Sequence, residues 1–435
     1  MKRRRQKTIL VLKTVAAVLI CILLVLIGIL VLGVKKDAEQ SEVSIIDSIV
    51  TEESIEKPDA EEEAEAESEE EEEELAEQTE EPSETIFRPD EEHVKPLGRI
   101  ALQDDTLWLT HSGTGAEFIF NGKKLKITFC GDETAADDYS DPDSQARVAV
   151  MVDGECVFDE IMTQPEMCYE QTYEEQSELT VKVVKLSEAI NSTVGLKEIE
   201  TDPEGSITPA KEKDRYIEFI GDSIVCGYGV DDSDPSHKFS TRTENAMKSY
   251  AYRTAELLNA DYSMVCFSGY GVYSGYVSST DTINSEETIP HYYDKLAYSR
   301  AYYNGKRPQD VSYEETRGAD YVVINLGTND RKYVDGREER KEEFQESYIN
   351  FLKSVRKHYP GAYIICSLGI MGDELFPEIE KAVQEYKEKN GDEKVSSFRF
   401  DLMAPENGYG ANGHPSEKNQ ERAAEQLVKY IDTLS

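Results

Sequence analysis

The sequence predicts an α/β protein: a three-layer α/β/α domain with a parallel sheet over residues 213–435, preceded by an all-β sandwich of the jelly-roll kind over residues 97–212. Regular alternation of apolar strands with helical stretches after Asp214 predicts the first, and short alternating runs separated by Asn-Gly and Asp-Gly pairs predict the second. A third observation sets both behind an N-terminal anchor, residues 1–36, and an acidic linker, residues 37–96. At 435 residues the chain is too long for one core, so two folded units with non-globular sequence around them is the natural division.

The N-terminus opens with Lys2, Arg3, Arg4, Arg5, Lys7 and Lys13, followed by an uncharged apolar run from Thr14 to Val34. A helix of about 20 residues spans hydrocarbon. Basic residues before the run and acidic residues after it orient the N-terminus to the cytoplasm and everything beyond Lys36 outside, as a single-pass membrane protein with an extracellular catalytic domain. The apolar run exceeds the roughly 7–15 residues of a signal-peptide core and no Ala-x-Ala site follows it, which favours an anchor over a cleaved leader. Residues 37–92 hold 26 Asp and Glu against Lys57 and Arg88, including the run Glu69–Glu74. Such a segment buries too little apolar surface to offset its ordering entropy, and is expected as a disordered stalk.

From Gly98 to Ile207 the expected strands are Thr106–Thr110, Glu117–Phe120 turning at Asn121-Gly122, Leu125–Phe129, Ala146–Val152 turning at Asp153-Gly154, and Leu179–Lys185. After Asp214 the expected strands are Tyr216–Ile220, Tyr262–Phe267, Tyr321–Leu326, Ala362–Ser367 and Ser397–Leu402, with helices at Tyr250–Leu258, Lys341–His358, Leu375–Lys389 and Glu417–Tyr430. Chemistry in that architecture belongs at the carboxyl ends of the strands.

Those ends carry polar motifs. The first strand runs into Gly221-Asp222-Ser223, where a serine hydroxyl is exposed at the sheet edge beside helix-start amides; Asp and Ser are also ordinary capping residues. The second ends Ser268-Gly269-Tyr270-Gly271 and the third Gly327-Thr328-Asn329-Asp330. A glycine amide and an Asn side-chain amide beside the serine, with the serine's own N–H, would make an oxyanion hole. Gly413-His414-Pro415-Ser416 precedes the last helix and holds the one histidine of six in the right place to serve as a base. Tyr270, Tyr273 and Tyr276 in the long loop after the second strand are candidates for stacking on sugar faces, and Asp330 for binding substrate.

The four motifs in this order resemble the sequence blocks of the SGNH (GDSL) hydrolases, whose sheet is flavodoxin-like. The β unit ahead of them, with Ala189-Ile190-Asn191-Ser192-Thr193-Val194-Gly195 near its end, is similar to the N-terminal part of carbohydrate esterase family 2. The resemblance implies a serine esterase that removes O-acetyl groups from polysaccharides of the acetylxylan and glucomannan type through an acetyl-enzyme. Ser223 would be the nucleophile, His414 the base, and Ser223, Gly269 and Asn329 the oxyanion donors. An Asp is usual two or three residues before the histidine of such enzymes, whereas Asn412 and Ala411 stand here. The orienting group is then Asn412 or a backbone carbonyl, the latter giving a Ser-His dyad.

This chemistry needs no metal or other cofactor. Net charge is −41, with −25 on residues 93–435, which repels phosphate backbones and excludes nucleic acid as a partner. Cys266 and Cys366 lie in apolar strand runs and are expected as buried free thiols, while Cys156 and Cys168 could bridge neighbouring strands. Two alternatives remain open: an esterase acting on the cell's own envelope glycans or lipids, and a catalytically silent glycan-binding surface protein.

Overall fold

The computed structural model describes residues 84–434 apart from Asp137 and Glu315, and these belong to one compact unit. The expected membrane span at residues 14–34 and most of the acidic stalk lie outside the described residues. Among those described, no helix is long and apolar enough to cross a membrane. The last part of the acidic segment is ordered, contrary to expectation. Thr85–Phe87 pairs antiparallel with Val194–Thr201, and Phe87 packs on the β core, which gives this stretch the apolar contact that the stalk composition lacks.

The N-terminal unit has ten strands: β1 Thr85–Phe87, β2 Lys95–Leu97, β3 Ile100–Gln103, β4 Thr106–Leu109, β5 Gly115–Gly131, β6 Arg147–Val152, β7 Glu155–Ile161, β8 Glu166–Lys185, β9 Val194–Thr201 and β10 Ser206–Pro209. They form one continuous hydrogen-bonded sheet around a core that includes Phe118, Phe120, Leu125, Ile127 and Phe129. The continuity comes from β5 and β8, which pair antiparallel over almost their whole length.

Asn121-Gly122 is therefore not a hairpin turn. The register shifts between Gly122 and Lys124, and the core residues change from even (Phe118, Phe120) to odd (Leu125, Ile127, Phe129) across it. From Gly122↔Ser177 to Lys124↔Thr172 β5 advances two residues and β8 five, so the pair lies opposite a bulge whose extra residues are in β8. The Asp202 carboxylate holds β5 at this point by accepting from the N–H groups of Lys123 (2.6 Å) and Lys124 (3.1 Å). Asp153-Gly154 does make the expected tight turn between β6 and β7, with both residues at positive φ (49° and 86°) as a type I′ turn requires.

The C-terminal unit follows the predicted alternation closely. Strands β11 Arg215–Gly221, β12 Ala260–Cys266, β13 Tyr321–Asn325, β14 Tyr363–Ile370 and β15 Val395–Leu402 form a parallel sheet in the order β12-β11-β13-β14-β15. The helices are α1 Ser223–Cys226, α2 Tyr250–Leu257, α3 Ile289–Tyr292, α4 Arg331–Val334, α5 Glu338–His358, α6 Phe376–Asn390 and α7 Glu417–Asp432. On one face, α5 and α6 bury Tyr348, Leu352 and Ile379 against Ile220, Ile324 and Ile364. On the other, α2 and α7 bury Ala251, Ala255, Ala424 and Leu427 against Phe219, Val323 and Ile365. A sheet covered on both faces explains why its strands read as continuous apolar runs. The chain reverses direction across the sheet at β11, so the carboxyl ends of β12, β11 and β13 lie side by side at the switch point.

Buried polar contacts join the two units. The Arg99 guanidinium donates to the carbonyls of Tyr293 (2.5 Å) and Lys295 (3.1 Å) and lies 3.5 Å from Glu218 on β11. Glu218 also accepts from the hydroxyls of Tyr293 (2.7 Å) and Tyr359 (2.8 Å). Lys95 bridges Glu117 (2.6 Å) and Asp261 (2.9 Å). Cys226, Cys266 and Cys366 are buried free thiols; Cys156 and Cys168 are also free, and both are exposed.

Candidate active site

Four loops at the carboxyl edge of the sheet bring the motif residues together. After β11, Asp222 caps α1 by accepting from the Ile224 N–H (3.0 Å), so the capping and functional readings of Gly-Asp-Ser both hold. Ser223 opens the helix, and its Oγ lies 2.9 Å from His414 Nε2. The two are 191 residues apart in sequence and both nearly buried, at 7% and 8% exposure.

The histidine loop reaches the serine because two glycines permit a close approach. A Cβ on Gly229 would lie 2.6 Å from that of Ala411, and one on Gly410 would lie 2.6 Å from the Gly229 carbonyl oxygen. Ala411 N–H donates to that same carbonyl (3.0 Å), and Asn412 N–H donates to the carbonyl of His237 (2.9 Å). The imidazole stacks on the Tyr228 ring at 3.9 Å between centroids. Sequence reasoning missed Tyr228; its one visible signal was a tyrosine held between Gly227 and Gly229 just after the serine.

His414 Nδ1 is buried and has no hydrogen-bond partner, side chain or backbone, among the described residues. Burial pulls the imidazole pKa down to about 4, opposed only by the nearby backbone of Ala411 and Asn412. The Asn412 side-chain amide points elsewhere, 3.5 Å from the Tyr228 hydroxyl. Of the two orienting groups the sequence left open, the Asn412 side chain is therefore not on the imidazole, and no backbone carbonyl bonds Nδ1 either. A neutral imidazole at pH 7 with a hydroxyl on Nε2 is arranged to take a proton.

Two backbone amides beside the serine are uncommitted: among the described residues, neither the Ser223 N–H nor the Gly269 N–H donates to a protein acceptor. Gly269 has φ 84°, and a Cβ there would meet open space. Gly271, the other glycine of that motif, donates its N–H to the Glu287 carbonyl (3.2 Å), and a Cβ on it would collide with the Ser274 carbonyl oxygen. The Asn329 amide nitrogen is committed twice, to Asp222 Oδ2 (3.1 Å) and the Tyr270 carbonyl (2.9 Å). Burial pushes the Asp222 carboxyl up to about 7. Both Asn329 amide hydrogens are engaged in the structure, unlike the amides of Ser223 and Gly269.

Two of the three expected substrate contacts, Asp330 and Tyr270, need correction. Asp330 is fully buried and accepts from the N–H groups of Val272 (3.1 Å), Tyr273 (2.7 Å) and Ser274 (2.9 Å), so it shapes the loop after β12 instead of meeting substrate. Tyr270 is buried among Phe267, Tyr292 and Tyr298. Tyr273 is half-buried against Tyr333, its hydroxyl donating to Glu343. Tyr276 is the tyrosine of the three that faces solvent, at 62% exposure, and its N–H donates to the Gly269 carbonyl (2.7 Å).

Behind the serine, Glu188, Cys226 and Glu244 offer potential ligand atoms within 4.8 Å of one another. Backbone amides already use this cluster: Glu188 Oε2 accepts from Ser268 N–H (2.8 Å) and Glu244 Oε2 from Glu188 N–H (2.8 Å). The Lys185 ammonium lies alongside, donating to the carbonyls of Ser187 (2.6 Å) and Glu188 (2.8 Å). A resident ammonium competes with a metal cation for these carboxylates, so the arrangement is that of a hydrogen-bonded network.

Residues 219–427 match the GDSL-like Lipase/Acylhydrolase family, and residues 97–210 match the carbohydrate esterase 2 N-terminal domain. The chain is 34% identical over 227 residues to the cellulase/esterase CelE of Acetivibrio thermocellus; the match covers 51% of this chain and 26% of that much longer protein. An acetyl xylan esterase from the rumen bacterium Butyrivibrio proteoclasticus superposes with a TM-score of 0.70 at 26% identity, covering 81% of this chain and 98% of its own. A family two carbohydrate esterase from Clostridium thermocellum, solved in complex with cellohexaose, gives 0.66 at 26% identity, with 78% and 98% covered. Two matched domains in the expected order, with a serine and histidine in contact in the second, identify residues 219–427 as a GDSL/SGNH lipase-acylhydrolase domain and residues 97–210 as a carbohydrate esterase 2 N-terminal domain.

Proposed function

We propose that the protein is an extracytoplasmic serine esterase that removes O-acetyl groups from a polysaccharide of the acetylxylan or glucomannan type. The observation that carries this reading is the 2.9 Å contact between His414 Nε2 and Ser223 Oγ, beside the uncommitted amides of Ser223 and Gly269. His414 takes the Ser223 proton as Oγ attacks the acetyl carbonyl. The Ser223 and Gly269 amides, joined by Asn329, stabilise the tetrahedral oxyanion. Collapse expels the sugar hydroxyl, which receives the proton from His414, and water activated by the same imidazole then hydrolyses the acetyl-enzyme. With Nε2 against the Ser223 hydroxyl, the tautomer that can act as base carries its proton on Nδ1.

The acyl group is proposed as acetyl because the B. proteoclasticus structure is that of an acetyl xylan esterase, and the polymer as a β-linked glycan because the C. thermocellum enzyme was solved with cellohexaose. Tyr276, exposed and tethered to Gly269, is the tyrosine placed to meet a sugar ring. Membrane anchoring through residues 14–34, with the catalytic domain outside, rests on the basic flank, the apolar run and the acidic stretch after it. Acetate release from acetylated xylan, glucomannan and peptidoglycan, run in parallel, tests the substrate. Xylan or glucomannan should lead; peptidoglycan leading would move the function to the cell's own envelope, and no release from any would refute the deacetylase.

A further inference from the structure

The network behind the serine joins the β unit to the oxyanion hole through one side chain. Glu188 lies two residues beyond Leu186 in the turn that follows β8, is buried, and belongs to the N-terminal unit by sequence. Its Oε2 accepts from the Ser268 N–H at 2.8 Å, and the next amide along the chain is that of Gly269. The same oxygen lies 3.9 Å from Cys226 Sγ, on the last residue of the short helix that begins with Ser223. One carboxylate oxygen therefore touches both segments whose amides are uncommitted at the site.

Glu188 is itself held from two sides. Lys185 pins the backbone carbonyls of Ser187 and Glu188, and Glu244 Oε2 accepts the Glu188 N–H. Burial pushes the Glu188 carboxyl above the usual range, opposed by the Ser268 contact and by the positive charges of Lys185 and Arg300. Whatever its protonation state, the oxygen facing Ser268 has to remain an acceptor for the contact to persist.

We propose that Glu188 is a positioning residue for the oxyanion hole, fixing the Ser268–Gly269 turn against the Ser223 helix, so that the β unit is part of the catalytic centre. The inference rests on the esterase reading above. An oxyanion donor works through preorganisation, and displacement by about 1 Å can cost on the order of 10²-fold in rate. Loss of the Glu188 acceptor should accordingly appear in kcat with KM for a small ester unchanged.

The test compares full-length wild type with Glu188→Ala and Glu188→Gln on p-nitrophenyl acetate, with rates expressed per serine titrated by a fluorescent phosphonate. Glu188→Ala should lower kcat per titrated site by about 10–100-fold at unchanged KM. Glu188→Gln, whose amide oxygen can accept from Ser268, should recover most of the loss. Should Glu188→Ala fail to fold, Glu188→Asp takes its place: one methylene shorter, it cannot reach Ser268 and should show the same kcat loss. Wild-type kcat in a folded Ala or Asp variant, or a Gln variant no better than Ala, overturns the positioning role while leaving the esterase standing. A wild-type protein that neither hydrolyses the ester nor labels at Ser223 refutes the esterase itself, and the role of Glu188 with it.

Discussion

The carboxyl edge of the parallel sheet and the seam between the two units each hold a buried histidine, and the two differ in what they leave uncommitted. His111 in the seam directs Nε2 to the Leu296 carbonyl (3.1 Å) and packs on Phe267; burial, with the charges of Arg99 and Lys185, drives its pKa down to about 3. His414 at the edge is depressed almost as far, to about 4, but its Nε2 faces a serine hydroxyl beside two amides without acceptors. A perturbed pKa therefore does not separate catalysis from packing in this molecule. Nor does an unused ring nitrogen, since Nδ1 is unpartnered in both; what separates them is a reactive hydroxyl on Nε2 beside amide donors held in reserve for a charge that exists only in the transition state.

The strongest way to break this comparison is to remove the edge groups. Ser223→Ala and His414→Ala should each reduce acetyl-ester hydrolysis by roughly 10⁴-fold or more while the melting temperature stays near wild type. Activity within tenfold of wild type in either folded variant would mean that the reserve is incidental. Asn329→Ala should lower kcat by about 10²–10³, the range for one oxyanion donor. A loss confined to KM would reassign Asn329 to clasping Asp222 and Tyr270.

The seam should respond in stability where the edge responds in rate. Arg99→Ala leaves Glu218 buried without its cationic partner and should destabilise the fold by about 3–5 kcal/mol, with kcat per folded molecule unchanged. Denaturant melts read beside titrated kcat check both halves. Asn412→Ala should cost less than tenfold in kcat, since its side chain serves Tyr228 and not the imidazole, far short of the roughly 10⁴-fold loss on neutralising a working triad acid.

The smallest effects are in pH. With His414 neutral above about 4, kcat/KM should hold level down to about pH 5 and fall below that, well under the limb near 6.5 of an unperturbed histidine. Both histidines bind protons more weakly folded than unfolded, so each withdraws stability as pH falls from about 6.5 through the folded value. His111→Gln should therefore flatten the fall in melting temperature between pH 6.5 and 4 without changing kcat; an unchanged slope would show that His111 is not buried as a neutral ring.

Local chemistry in the sequence was sufficient for the α/β unit. Its apolar strands, its helices and the four motifs at strand ends are properties of short segments, and a covered parallel sheet places such ends side by side whatever the details. For that reason Ser223, Gly269, Asn329 and His414 could be named before any geometry. The anchor at residues 1–36 and the acidic linker at residues 37–96 were also read from composition; up to residue 83 that reading rests on composition alone, and beyond it Thr85–Phe87 departs from it.

What only the tertiary structure decided depends on partners distant in sequence. Asn121-Gly122 is chemically a good turn, and it stayed within β5 because β8 pairs with it on both sides, bulging opposite it, while Asp202 holds the next two amides, of Lys123 and Lys124. Asp330 and Tyr270 carry the right groups for a substrate site but are committed to three loop amides and an aromatic cluster. Glu188 gave no local signal at all, one glutamate among many in an acidic chain, until folding set it against Ser268, 80 residues away. Side-chain chemistry is written residue by residue, but whether a polar group is consumed or kept free is settled by what the fold packs against it.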